Sequence, residues 1–382
     1  MTVDSPITVS PPPRRVLIIL LGAIGDVVRA LPLLGRIRRA WPQAHIAWAV
    51  EPKSSPIIEG HPWIDQLIVY DRPRAPWSFL PFLREVHAAH FDLVIDLQRH
   101  LKSGIIGLVS GARDRLGFAA PNTKEFNHHF TTRQIEPQSN LRSKLIQYQA
   151  FADALGVSSA PIEFGLSLPP AEDADARAAI TTVRRPLVGV ILGSSWPSRV
   201  YFPESVAEVI RELAQPANGA APLYPVLIGA REDAAIGDAV MRNLDGLPAL
   251  NLVGRTRLRD LIGIFRQCAV SFGPDSGPMH IAAAVGCPVV SLWGATAAQR
   301  SAPWGYADLA LSAAIPCHPC YLRDCPIGRE CMRRIAPAEV VAMVRRALSR
   351  RIDAVSGDPP RASIADDSNA AAKVVAPAPV RS

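Results

Sequence analysis

The sequence predicts an α/β protein built from two doubly wound domains, and three observations carry that prediction. Short, continuously apolar runs recur along the chain, among them RRVLIILL near residue 15, FDLVIDLQ at 91–98 and CPVVSLWG at 287–294. Stretches with helical spacing separate these runs. The alternation then breaks at SLPPAEDADARAAI, residues 167–180, and restarts beyond it. Strands that are apolar throughout, separated by helices, imply a parallel sheet covered on both faces. A chain of 382 residues is long enough to bury two such cores.

The elements follow in order. Arg15 to Leu21 reads as the first strand, and Val27, Leu31, Leu34 and Arg38 recur at helical spacing as far as Trp41. Pro32 tempers that helix, because proline suits a first turn better than an interior. His45–Val50 and Gln66–Tyr70 are short strand candidates, and Phe91–Gln98 is followed by a helical stretch through Leu108. In the second half, Pro186–Leu192, Tyr224–Gly229, Cys268–Gly273 and Cys287–Gly294 are the strands. The expected plan is an extension at 1–13, a first domain at 14–166 and a linker at 167–180. A second domain at 181–350 and a disordered tail at 356–382 complete it. Residues 1–13 are rich in proline and small polar residues and the tail in proline, alanine and serine, and neither can bury enough apolar surface to order itself. Ligands of open α/β sheets bind outside the carboxyl ends of the strands, so two such sheets imply a ligand held in a cleft between the domains.

Composition narrows the function. About half the residues are apolar (48%) and 20% are charged, as in a globular protein. The net charge of +7 suits anionic partners without requiring nucleic acid, and sparse aromatics argue against a base-stacking platform. Two arginines before an apolar run resemble the opening of a signal peptide. That run is shorter than the ~20 residues needed to cross a bilayer and lacks a cleavage pattern, so it reads as a buried strand. A cytoplasmic location with reduced thiols is expected.

Two turns carry the chemistry. In FGPDSGPMH, Asp275 or Ser276 caps a helix, Pro278 lies in its first turn, and the exposed N–H groups with the positive end of the dipole make an anion site. His280 falls in the same turn, where it could donate to a phosphate; an ordinary capped helix is the competing reading. After the first strand comes LGAIGD, which is neither a Walker loop nor the dinucleotide fingerprint. It presents one carboxylate, Asp26, as either a base or a helix cap.

Together these stretches resemble the heptosyltransferases, glycosyltransferase family 9. The matching pieces are RRVLIILLGAIGDVVRALPLL, FDLVIDLQRHLKSGIIGLVSGARDRLGF, LGSSWPSRVYFPE, FGPDSGPMHIAAAVGCPVVSLWGAT and CHPCYLRDCPIGRECM, in family order from about residue 15 to 345. The resemblance implies the two-Rossmann GT-B fold, with the active site in the interdomain cleft. It implies an inverting transfer of heptose from ADP-heptose to a phosphorylated glycolipid, a lipopolysaccharide core of lipid A–Kdo type, with no metal or other cofactor required. Asp26 matches the aspartate proposed as general base. Ser194, Ser195, Arg199, Glu232, Asp275, Ser276, Gly277, Pro278, Met279 and His280 fall where donor contacts are expected. Asp233 is an alternative to Glu232. Arg199 stands where the family usually has lysine, which keeps the charge and changes its geometry. Val200 and Phe202 depart further.

On the acceptor side the expected residues are Gly25, Arg99, Lys102, Arg115 and Lys124. With Arg113 the cations form a basic group suited to a phosphorylated lipid and to peripheral attachment at the anionic inner face of the inner membrane. The rival readings are a transferase of the same fold using another nucleotide-sugar and a non-catalytic nucleotide-sugar binding protein. Asp173-Ala174-Asp175 resembles a metal-binding DxD but reads as a solvated charge run. Cys317, Cys320, Cys325 and Cys331 crowd one loop, which suggests a structural zinc, with plain thiols or a redox-sensitive pair as alternatives.

Overall fold

The computed structural model describes residues 11–72, 77–180, 186–216, 221–356 and 373–375. Most of the expected N-terminal extension and tail therefore lies outside the described residues. The chain divides into two compact units, Met1–Ser167 and Leu168–Ser382.

The first unit contains strands β1 (Arg15–Ile19), β2 (His45–Val50), β3 (Gln66–Val69), β4 (Leu93–Asp96), β5 (Asp114–Gly117) and β6 (Arg133–Gln134). Its helices are α1 (Ile24–Ala40), α2 (Phe79–Ala88), α3 (Leu101–Val109) and α4 (Lys144–Ala154). All strand pairs are parallel, in the order β3-β2-β1-β4-β5-β6, the doubly wound arrangement whose strand order reverses between β1 and β4. Val16 to Ile19 are buried, as a strand covered on both faces requires.

Helix α1 runs through Pro32, past the first turn where sequence reasoning placed it. A proline inside an exposed helix costs ~3 kcal/mol or more. Here nearly the whole length from Gly25 to Ile37 is buried, and packing rather than propensity holds the helix.

The second unit contains α5 (Pro170–Ala178), β7 (Leu187–Ile191), α6 (Pro203–Leu213), β8 (Tyr224–Ile228), α7 (Ala234–Asn243), β9 (Leu250–Asn251) and α8 (Asp260–Gln267). Then follow β10 (Cys268–Pro274), α9 (Gly277–Ala284), β11 (Val289–Trp293), α10 (Ala298–Ser301), β12 (Ala310–Ala313), α11 (Glu330–Arg333), α12 (Pro337–Ser356) and β13 (Lys373–Val375). The sheet order is β13-β12-β11-β10-β7-β8-β9, again parallel, and reverses between β7 and β10. Strand β13 comes from the tail expected to be disordered. The expected linker is folded as well: α5 packs on α8, and Arg259 Nε lies 2.9 Å from Glu172. Asp173 in that segment pairs with Arg177.

Gly273, near the end of β10, shows why the FGPDS turn needs glycine. A Cβ there would lie 2.4 Å from the Ile191 carbonyl oxygen, in the backbone of the neighbouring strand. Backbone cannot swing aside as a side chain does. Gly273→Ala is expected to destabilise the second unit by about 1–3 kcal/mol, the usual cost of overpacking. Thermal unfolding followed by circular dichroism measures it, and an unchanged melting temperature would refute the close approach.

Candidate functional site

Each sheet reverses its strand order once, and at each reversal the chain places one set of polar residues. In the first unit that residue is Asp26, in the first turn of α1, directly after β1. Its carboxylate does not serve as a cap for its own helix. Arg29 Nη2 donates to Oδ1 at 2.6 Å, and Lys144 Nζ donates to Oδ1 at 2.8 Å and Oδ2 at 3.0 Å. Arg29 sits one turn along α1, and Lys144 opens α4, which packs along α1. Burial pushes the Asp26 carboxyl up, but the Lys144 and Arg29 charges outweigh it and hold the group well below the usual carboxylate range. Gly25, beside it, is buried in the same turn.

Across the reversal, Asp96 ends β4. It is buried, and accepts hydrogen bonds from Ser103 Oγ and Asn127 Nδ2, both at 2.8 Å. Burial pushes its carboxyl up from the ordinary value. The residue ties β4 to α3 and to the turn around Asn127, and sequence reasoning did not single it out.

The basic group divides under inspection. Arg99 hydrogen-bonds Gln147 and stacks 3.7 Å from the Phe118 ring centroid. Arg115 donates from Nε to the Phe130 carbonyl at 2.7 Å and from Nη1 to the Ala112 carbonyl at 2.6 Å. Both guanidinium groups hold the fold together, which five-donor arginines do well. Lys102 lies 5.0 Å from the Tyr70 ring centroid, and only Lys124 and Arg113 are exposed.

In the second unit the donor residues of the sequence analysis converge on Asp275, between β10 and α9. Arg199 Nη1 lies 3.1 Å from Asp275 Oδ2, Thr296 Oγ1 donates to the same oxygen at 2.7 Å, and Ser194 Oγ donates to the Asp275 carbonyl at 2.7 Å. The Arg199 guanidinium also stacks 4.0 Å from the Trp196 ring centroid. Sequence reasoning did not single out Thr296, although it closes the matching piece FGPDSGPMHIAAAVGCPVVSLWGAT just after β11. Ser276 caps α9 by position, without a side-chain cap bond, and Pro278 occupies its first turn. The Ser276 hydroxyl is buried and has no hydrogen-bond partner among the described residues. A buried hydroxyl left open at a helix N-terminus, beside an arginine, suits an incoming phosphate.

Met279 and His280 are buried, Met279 completely. Any contribution Met279 makes to a ligand therefore comes through its backbone. Asp233 is committed locally, accepting from the Ala230 N–H at 2.8 Å and lying where a Cβ on Gly193 would be 1.9 Å from its Oδ2. Glu232 and Ser195 are exposed.

A structural zinc is expected at the four clustered cysteines, and Cys317, Cys320 and Cys325 lie near enough to act on the charge of Cys331. Among the described residues no group of three or more histidine, cysteine or carboxylate side chains is arranged to hold a metal ion. Cys331 is buried in α11 against the core, whereas Cys317 is exposed on the loop, and all four are free thiols. Burial pushes the Cys331 thiol up to about 11. The loop also braces the Asp275 neighbourhood. Tyr321 N–H donates to the Ala295 carbonyl at 2.7 Å, Ser198 Oγ to the Leu322 carbonyl at 2.7 Å, and Arg329 Nη1 to the Val200 carbonyl at 2.9 Å.

Comparison with known proteins agrees with this picture. The family described as glycosyltransferase family 9 (heptosyltransferase) matches residues 80–330. The chain is 26% identical over 302 residues to the lipopolysaccharide core heptosyltransferase OpsX of Haemophilus influenzae, covering 78% of this chain and 84% of that one. It is 27% identical over 323 residues to lipopolysaccharide heptosyltransferase 1 of Pseudomonas aeruginosa, covering 81% and 87%. In fold it is similar to the Escherichia coli ADP-heptose lipopolysaccharide heptosyltransferase II, with a TM-score of 0.70 at 18% identity over 88% of this chain and 99% of that one. The two Rossmann-like units are those of the GT-B fold, and the chain is a glycosyltransferase that belongs to glycosyltransferase family 9, the heptosyltransferases.

Proposed function

We propose that this enzyme transfers a heptose from ADP-heptose to a lipopolysaccharide core acceptor of lipid A–Kdo type, inverting the anomeric centre and needing no metal. The observation that carries the reading is Asp26, an ionised carboxylate set in the first turn of α1 where the first sheet reverses. Displacing a nucleoside diphosphate from a sugar passes through an oxocarbenium-like transition state, and a base opposite the leaving group takes the proton of the incoming hydroxyl. Asp26 is that base. The leaving diphosphate belongs at the N-terminus of α9, where the backbone N–H groups, Ser276 and Arg199 meet its growing charge. The named substrates of the relatives support heptose and lipopolysaccharide as donor sugar and acceptor.

The test is transfer itself. Purified enzyme, ADP-heptose and lipid A–Kdo acceptor, with chelator present, are expected to give an acceptor heavier by one heptose in the mass spectrum, with the inverted linkage by NMR. Transfer from another nucleotide-sugar in preference to ADP-heptose would overturn the donor assignment. Activity lost to chelator and restored by magnesium would overturn the metal-free mechanism.

The acceptor is a lipid, and we place the enzyme at the cytoplasmic face of the inner membrane as a peripheral protein. No helix among the described residues is long and apolar enough to cross a membrane. The first unit exposes Trp77 just before α2, Leu80 in its first turn and Leu101 opening α3, together with the cations Lys124 and Arg113. Tryptophan favours the membrane interface, and each surface cation adds about 1 kcal/mol near anionic lipid. Co-sedimentation with vesicles containing phosphatidylglycerol is expected, to be weakened by salt and by Trp77→Ala; equal binding to neutral vesicles would refute the electrostatic part.

A further inference from the structure

A carboxylate that two cations grip is a poor base, and the Asp26 cluster therefore raises a mechanistic problem of its own. General bases work best with a pKa near the working pH, whereas both Lys144 and Arg29 favour the charged carboxylate and oppose its taking a proton. The three groups also carry a net charge of +1: two cations and one carboxylate within 2.6–3.0 Å.

The two cations are not equivalent. Arg29 shares α1 with Asp26 and is 8% exposed, so it moves with the carboxylate. Lys144 comes from α4, is 21% exposed, and ends in a flexible stem whose ammonium has no fixed plane to satisfy. Its backbone is anchored. Gln147, one turn on, donates to the carbonyls of Ser139 at 3.1 Å and Arg142 at 2.8 Å and holds the segment leading into α4. The other charged pair along the α1–α4 contact, Arg36 with Asp153 at 2.7 Å, lies at the far end of both helices and balances itself. Of the two cations on Asp26, Lys144 has the more exposed and the more flexible side chain.

We propose that Lys144 binds an anionic group, a carboxylate or a phosphate, that the acceptor carries beside its attacking hydroxyl, and that it leaves Asp26 to do so. The surplus positive charge attracts the acceptor's anion, and Lys144 turns toward it. Asp26, still held by Arg29 but released by Lys144, gains basicity at the moment the hydroxyl arrives. The hydroxyl proton passes to an Asp26 oxygen, the hydroxyl oxygen bonds to the anomeric carbon, and the bond from that carbon to the diphosphate oxygen breaks with its electron pair. An acceptor lacking the anion leaves the base in the grip of Lys144. This rests on the function proposed above and adds a selection rule to it.

The experiment compares wild type with Lys144→Met and Lys144→Arg on three acceptors: native, carboxylate-esterified and dephosphorylated. In wild type, removal of the relevant anion is expected to lower kcat/KM about 10- to 100-fold, the worth of a charge-assisted hydrogen bond. Lys144→Met should show a similar loss on native acceptor, mostly as raised acceptor KM, and no further loss when that anion is removed. Lys144→Arg should recover part of it. The arm in which the variant becomes insensitive identifies carboxylate or phosphate as the source. In the variant an acidic limb should also rise toward the ordinary carboxylate range, because the Asp26 carboxyl, no longer held low by Lys144, protonates as pH falls. A purely structural role would move neither anion sensitivity nor that limb. Unchanged kcat/KM in Lys144→Met, or a variant as sensitive to both anions as wild type, would overturn the proposal. Absence of transfer by the wild-type enzyme would instead refute the proposed function, so the two failures are distinct. Circular dichroism and donor binding confirm that the variants are folded.

Discussion

Asp26→Asn is expected to lower turnover by about 10²–10⁴, the usual contribution of a general base. Asparagine keeps the shape of the side chain and its place in the first turn of α1, but it cannot accept the proton. The substitution also leaves Lys144 and Arg29 facing each other without the anion between them. A loss of stability of about 1–3 kcal/mol is expected with it, within what hydrogen bonds to charged groups contribute. Two readouts separate the effects. Donor affinity, measured by calorimetry with ADP, should stay near wild type, because the residues proposed to hold the donor belong to the second unit. Turnover measured well below the melting temperature should still be down by at least a hundredfold. Turnover within threefold of wild type would refute the assignment of Asp26 as base.

Much of this arrangement was legible in the sequence, and the reasons are specific. Strands β1, β2, β4, β7, β8, β10 and β11 are mostly buried, mostly apolar runs, so their apolar continuity gave them away. Strand β5 reads DRLG, β6 is only Arg133–Gln134 and β9 only Leu250–Asn251; pairing with a neighbour, not their own composition, makes them strands. The Asp275 turn was legible because its glycine and prolines each serve a local backbone need. Arg29 was within reach, one turn from Asp26 on the same helix. Lys144 was not. It stands 118 residues from Asp26 in the chain, and only the packing of α4 on α1 brings them together. The same limit explains the arginines. Arg99 and Arg115 look like ligand-binding cations in a sequence, and the fold spends their guanidinium groups on Gln147, Phe118 and two backbone carbonyls.

The turn proposed to hold the donor yields the second large effect. Arg199→Met is expected to weaken binding of ADP about 10- to 100-fold, as loss of a charge-assisted contact to phosphate implies. The reasoning turns on Asp275. Its carboxylate cannot itself favour a diphosphate, since like charges repel, so its value lies in holding Arg199 and Thr296 on one oxygen. Removing Arg199 leaves that carboxylate buried beside the proposed donor site with Thr296 still bonded to it, and the uncompensated charge adds repulsion to the lost contact. Asp275→Asn alone should weaken ADP less, because Arg199 keeps its charge and its stack on Trp196. The double variant should then bind ADP no worse than Arg199→Met, since the asparagine removes the repulsion that the single variant suffers. Arg199→Lys, which restores the residue type usual in the family, should fall between wild type and Arg199→Met: the charge remains, and the planar stack on Trp196 goes. Calorimetry on wild type, Arg199→Met, Asp275→Asn and the double variant closes the cycle, and residues in contact are expected to be non-additive. If the two single losses simply add in the double variant, Asp275 and Arg199 act on the donor separately and the positioning role assigned to Asp275 fails.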